Sequence, residues 1–229
     1  MSTITAEKKG AAVDVTRSRS GLFRTVLEWG GFAAGAILIV FGVVAIVMGF
    51  NGRSVVADSL KQEKIVGSAD MTPATIKEEA QKAGLNLSAI DLPTKSVAGQ
   101  TIDSGPKART FAAYMRIHTL EATQGLTYAQ MGRFVAKPDT PKAQLTPDGA
   151  TSNPQYAQVD SATKQPVASH ARDIWVTETA LTTALNTSFM ADRLGLFGIV
   201  VGVALLLSGI GFIVLAFNVL HGKRTAAAS

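Results

Sequence analysis

Hydrophobic positions along the chain fall into two long blocks. Gly30–Phe50 runs GGFAAGAILIVFGVVAIVMGF and Leu194–Leu220 runs LGLFGIVVGVALLLSGIGFIVLAFNVL, and neither holds a charged residue or a proline. A helix rising about 1.5 Å per residue covers the ~30 Å hydrocarbon core of a bilayer with either stretch. A buried helix of a soluble domain is shorter, about 10–14 residues, and carries a polar stripe, which both blocks lack. The pattern predicts two membrane-spanning helices, residues 30–50 and 194–220.

The polar and mixed stretch between them, residues 51–193, breaks into smaller elements. Arg53–Lys64 (RSVVADSLKQEK) extends the first helix, and 65–69 reads as a short strand. Thr72 as N-cap, Pro73 at the first helical position and Gly84 as a stop predict a helix over 73–83. The strongest amphipathic signal is Pro106–Thr123, where Phe111, Tyr114, Met115, His118 and Ala122 recur at helical spacing and Gly125 closes the run. Leu126–Val135 adds a short turn. Residues 137–169 hold five of the eight prolines and few large apolar side chains, which predicts an irregular or mobile loop. Asp173–Arg193 has neither proline nor glycine and leads helically into the second block, so one long helix is expected from Asp173 to Leu220. Its apolar side needs a cover. The expected packing set is Phe111, Tyr114, Met115 and His118 against Trp175, Leu181 and Phe189. The fold class is a mainly α membrane protein: a two-helix transmembrane hairpin with a mostly helical extracytoplasmic insert.

Charge decides the orientation. The chain has 229 residues and a net charge of +5. Before Gly30 stand five basic and three acidic residues, after Leu220 stand Lys223 and Arg224, and the rest is nearly balanced at 15 Lys/Arg to 14 Asp/Glu. Basic tails (1–29 and 221–229) suit the cytoplasmic face and its anionic lipid. The expected location is the plasma membrane, multi-pass, with both termini cytoplasmic. A nucleic-acid partner is not expected, because no folded region concentrates the positive charge. Met1–Ser20 reads as disordered, and Trp29 as an interfacial anchor. The first block is longer than the ~7–15 residues of a signal-peptide core, so it reads as an uncleaved anchor.

Small residues recur four apart inside both blocks: Gly31 and Gly35, Ala45 and Gly49, Gly198 and Gly202, Ala204 and Ser208. Such pairs let helix backbones approach closely in lipid, where dispersion replaces the hydrophobic drive. They are the candidate helix-contact residues.

Catalytic chemistry is not visible. The chain contains no cysteine, which removes disulfides, thiolate metal sites and a cysteine nucleophile. The histidines are His118, His170 and His221. His118 and Glu121 share a helix face, but no second histidine stands nearby, so no metal ligand set is predicted. No nucleophile elbow, P-loop or dinucleotide fingerprint occurs. Neither block contains an ionisable residue of the kind that marks an ion pathway. No catalytic residue, metal or cofactor is expected.

Three stretches, Val56–Asp70, Gly105–Met131 and Leu185–Phe212, resemble a family of small actinobacterial membrane proteins with two spans. The resemblance implies a membrane hairpin with an extracytoplasmic insert and no established activity. Some members carry the name aromatic ring-opening dioxygenase. An iron site for such chemistry wants histidine and carboxylate ligands set together, and the sequence shows no such cluster. The expected function is an accessory or scaffold protein whose helices contact a membrane-protein partner, a second copy of itself and the surrounding lipid. The alternative is an extracytoplasmic sensor or ligand-binding module, and a membrane enzyme comes third.

Overall fold

A computed structural model describes the backbone of residues 4–226 and the side chains of Val26 and of residues 29–218. Among the described residues the chain is mainly helical and has no strand. Its helices are α1 (Ile4–Gln62), α2 (Pro73–Lys82), α3 (Gly105–Ala122) and α4 (His170–Ala226), with single 3-10 turns at Leu87–Ala89, Tyr128–Gln130, Lys142–Gln144 and Pro154–Tyr156. α1 begins at Ile4, where a disordered tail is expected. Residues 4–20 contain one glycine and no proline, so nothing in them stops a helix. The ends of both expected tails, residues 1–3 and 227–229, lie outside the described residues.

Contacts divide the chain into two compact units, Met1–Asn51 with Leu194–Ser229, and Gly52–Arg193. The first is a pair of apolar helical segments. Trp29–Gln62 and His170–Asn218 are helices long and apolar enough to cross a membrane. Large apolar side chains point outward along both, among them Phe41, Val47, Phe197 and Leu207. The fully buried positions are small, Gly35, Gly42, Gly49, Gly202, Gly209 and Ala216, with Ile39, Ile46, Ile199 and Ile213 half-buried beside them.

The second unit packs around α3. Phe111, Ala112, Tyr114 and Ile117 of α3 form a core with Leu60 of α1, Ile76 and Ala80 of α2, and Leu185 of α4. A smaller cluster joins Leu120, Met131 and Trp175. Predicted boundaries hold where local chemistry sets them. The Thr72 hydroxyl accepts from the Thr75 N–H at 3.2 Å to start α2, and Gly84 at φ +71° turns the chain out of it. The predicted strand at 65–69 is absent. Two lone bridges stand there, Val66 to Thr101 and Gly67 to Ala98, because the chain pairs for too few residues to build a ladder.

Residues 137–169 are irregular, as predicted, but tied down. Phe134 bridges both Thr151 and Ala168, Ala136 bridges Ala157, and Val159 bridges Pro166. The Asp148 carboxylate accepts from the Thr146 hydroxyl at 2.6 Å and from the Gly132 N–H at 3.2 Å. Backbone pairing here takes the place of the apolar core that the composition cannot supply.

Candidate functional site

Three features of the chain have the geometry to act on something. The first is a glycine seam in the helix pair. A Cβ on Gly35 would meet the Gly209 carbonyl oxygen at 2.8 Å, one on Gly42 the Gly202 oxygen at 2.7 Å, and one on Gly49 the Gly195 oxygen at 2.5 Å. Position rises on one helix as it falls on the other, so the segments run antiparallel. The glycines stand seven apart, which keeps one face against the partner through successive turns.

The predicted helix-contact residues divide accordingly. Gly31 faces Ala216, while Gly35, Gly49 and Gly202 sit in the seam. Gly198 stands looser, opposite Ala45 and Gly49 at 3.6 Å or more. Ala204 and Ser208 are exposed on the outer face. Gly42, Gly195 and Gly209 belong to the seam and escape a search for spacing four; the spacing of seven would have found them.

The second feature is an open cleft of about 1090 Å³ in the 52–193 unit, between residues 84–95, α3 and residues 178–193 of α4. Lys95, Arg109, Arg116 and Arg193 line it, against Asp91 and Glu178. Its three guanidinium groups rest on aromatic rings. Arg116 lies 4.1 Å from the centre of Trp175, and Arg109 and Arg193 lie 5.5 and 5.0 Å from the centre of Phe189. A ring beneath a guanidinium holds it in place and leaves its N–H edge available to hydrogen-bond acceptors. Glu178 is buried, with Arg116 Nη1 3.7 Å from its carboxylate. Arg109 also donates to the Asn186 side-chain oxygen at 3.2 Å. The rim is fixed by Tyr114, whose hydroxyl donates to the Lys95 carbonyl at 3.0 Å and whose burial pushes its pKa up. The residues predicted only to pack, Trp175, Phe189 and Tyr114, thus also shape the cleft. Phe111 is core; Met115 and Leu181 pack against it half-buried.

The third feature surrounds His118. Its Nε2 is 3.1 Å from Asp70 Oδ2 and 4.0 Å from Glu79 Oε2, and one ligand atom from each of the three residues lies within 4.8 Å of the others. No metal ligand set is legible in the sequence, yet the fold assembles one candidate from residues 48 positions apart. Asp70 comes from the turn before α2, Glu79 from α2 and His118 from α3. Asp70 is held below the usual carboxylate range, first by a hydrogen bond from Ser68, against the opposing effect of burial, with lesser help from its own backbone and from His118. Glu121 is raised, first by burial; His118 opposes that, and Glu79 and Asp70 add to it. On a helix turning about 100° per residue, His118 points some 200° away from Arg116, so this group and the cleft occupy different faces of α3.

The chain is thus a mainly α protein carrying two helices long and apolar enough to cross a membrane. No family model, curated protein or solved structure matches it.

Proposed function

We propose that the protein is a two-span membrane protein whose 52–193 unit is a non-catalytic extracytoplasmic binding module for a small anionic ligand. The observation that carries this reading is the cleft wall: Arg109, Arg116 and Arg193 held on aromatic rings, with Lys95 beside them and only Asp91 and Glu178 in opposition. Preorganised guanidinium groups recognise carboxylates and phosphates through paired N–H donors. The apolar outward faces of the helix pair support burial in lipid, the basic ends support cytoplasmic termini, and the resemblance to two-span actinobacterial proteins points the same way.

Ligand binding is tested on the full chain in mild detergent by thermal unfolding with inorganic phosphate, short mono- and dicarboxylates, and phosphate esters. A saturable rise in melting temperature with at least one of them, lost in Arg116→Gln and Arg109→Gln, is the expected result. No rise with any of them, or an equal rise in both variants, overturns it. Orientation is tested with cysteines at Ser152 and Ser229: only the first labels from outside intact cells, and labelling of the second reverses the topology.

A second reading, contact with a partner helix or a second copy, keeps one observation. Ala204 and Ser208 stand four apart on the exposed face, unlike the seam glycines, which the chain's own helices fill. Cross-linking from Ser208→Cys in native membranes yields a dimer or a defined heteromeric product if this face is used; a monomer alone removes the reading.

A further inference from the structure

His118 Nε2 is buried and makes no well-aligned hydrogen bond. Asp70 Oδ2 stands 3.1 Å away but off the direction in which a ring N–H would point. A buried imidazole nitrogen without an aligned hydrogen bond is uncommon, and its lone pair suits a metal ion. Two carboxylates close on the same point, and a third, Glu121, follows His118 by one helical turn. Like charges this close repel unless a cation lies among them.

We propose that Asp70, Glu79 and His118 form a binding site for a divalent first-row transition cation of the Zn²⁺ class, with water completing its coordination. One neutral imidazole and two carboxylates bring two negative charges, matching the ion. Bonds of about 2.0–2.2 Å place neighbouring ligand atoms about 3.0–3.6 Å apart. The Asp70–His118 distance already lies in that range, and the half-exposed Glu79 side chain has only to close from 4.0 Å. The imidazole favours Zn²⁺, Fe²⁺ or Ni²⁺ over Ca²⁺ and Mg²⁺, which prefer oxygen ligands. The ion would pin the 68–72 turn and α2 to α3, on the face of α3 turned away from the cleft. It is a site separate from the one proposed for the anion.

The test uses full-length protein in detergent, stripped with chelator and titrated calorimetrically with Zn²⁺, with Co²⁺ as a spectroscopic probe. The expected result is saturable binding of one ion per chain, visible Co²⁺ absorption bands, and affinity weakened about 100-fold or more in Glu79→Gln and in His118→Gln. His170→Gln, at the exposed start of α4, leaves affinity unchanged. Absence of saturable binding, or equal affinity and equal Co²⁺ bands in Glu79→Gln, overturns the site. The Glu79 side chain is partly exposed, so that variant decides the matter even if His118→Gln fails to fold.

Discussion

Gly42 and Gly202 exclude side chains from each other's path: a Cβ on either would stand 2.7 Å from the carbonyl oxygen of the other. Around Gly42 the remaining neighbours are also backbone, Leu206 N at 2.8 Å and Leu206 Cα at 3.1 Å, so no side chain can swing aside. Gly42→Ala therefore forces the helices apart and costs about 1–3 kcal/mol. Ala204→Leu, on the exposed face, changes stability by less than about 0.5 kcal/mol. Unfolding in graded denaturing detergent measures both, and equal effects would show that the seam does not hold the pair together.

Arg53 and Asp192 test which partner of an ion pair is the hostage. Arg53 Nε donates to Asp192 Oδ1 at 3.0 Å, with the arginine side chain 39% exposed and the aspartate 7%. Removing the arginine strands a buried carboxylate, whereas removing the carboxylate leaves a cation that water can reach. Arg53→Gln should cost about 1–3 kcal/mol and Asp192→Asn clearly less. Thermal unfolding of the two variants in the same detergent gives the order, and the reverse order refutes the argument.

Trp175 lies in the second cluster, 6% exposed, under the Arg116 guanidinium. Trp175→Ala removes the largest side chain of that cluster and costs about 3–5 kcal/mol. Leu181→Ala, half-buried against the α3 core, loosens the unit less. Limited proteolysis of residues 52–193 should accelerate in both variants while membrane insertion stays normal. Unchanged cleavage would mean that the start of α4 does not organise this unit.

Asp160 predicts how the 137–169 segment responds to acid. Its carboxylate accepts from the Thr163 N–H at 2.7 Å, the Thr163 hydroxyl at 2.8 Å and the Ala162 N–H at 3.1 Å, and these bonds, the Thr163 backbone first, lower its pKa. A lowered pKa means that the folded turn prefers the charged form. Its contribution is complete above the ordinary aspartate value of about 3.9 and is lost as pH falls through the lower folded value. The protection of Lys164 N–H and Val167 N–H, which bond to the Asp160 and Gln158 carbonyls, measured against the intrinsic exchange rate at each pH, should fall locally below that pH. Asp160→Ala should show the weaker protection already at neutral pH. Protection independent of pH in the wild type would remove the Asp160 turn as the clasp.

The elements whose physics is local were legible in the sequence. Composition and length mark the two apolar helices, since an apolar stretch of this length without charge or proline has few other solutions. Thr72, Pro73 and Gly84 set α2 because capping and left-handed geometry act over a few residues. Tertiary structure decided the rest. Spacing of four among small residues describes one helix surface, but which face meets a partner depends on the register of both helices, and that picked Gly42 and Gly209 and left Ala204 and Ser208 outside. Asp70, Glu79 and His118 look unrelated in the chain, because their convergence depends on how α2 packs on α3. The cleft arginines read as ordinary surface charge until Trp175 and Phe189 came beneath them. Local chemistry is written residue by residue; convergence is a property of packing, and packing is settled only when distant segments compete for the same core.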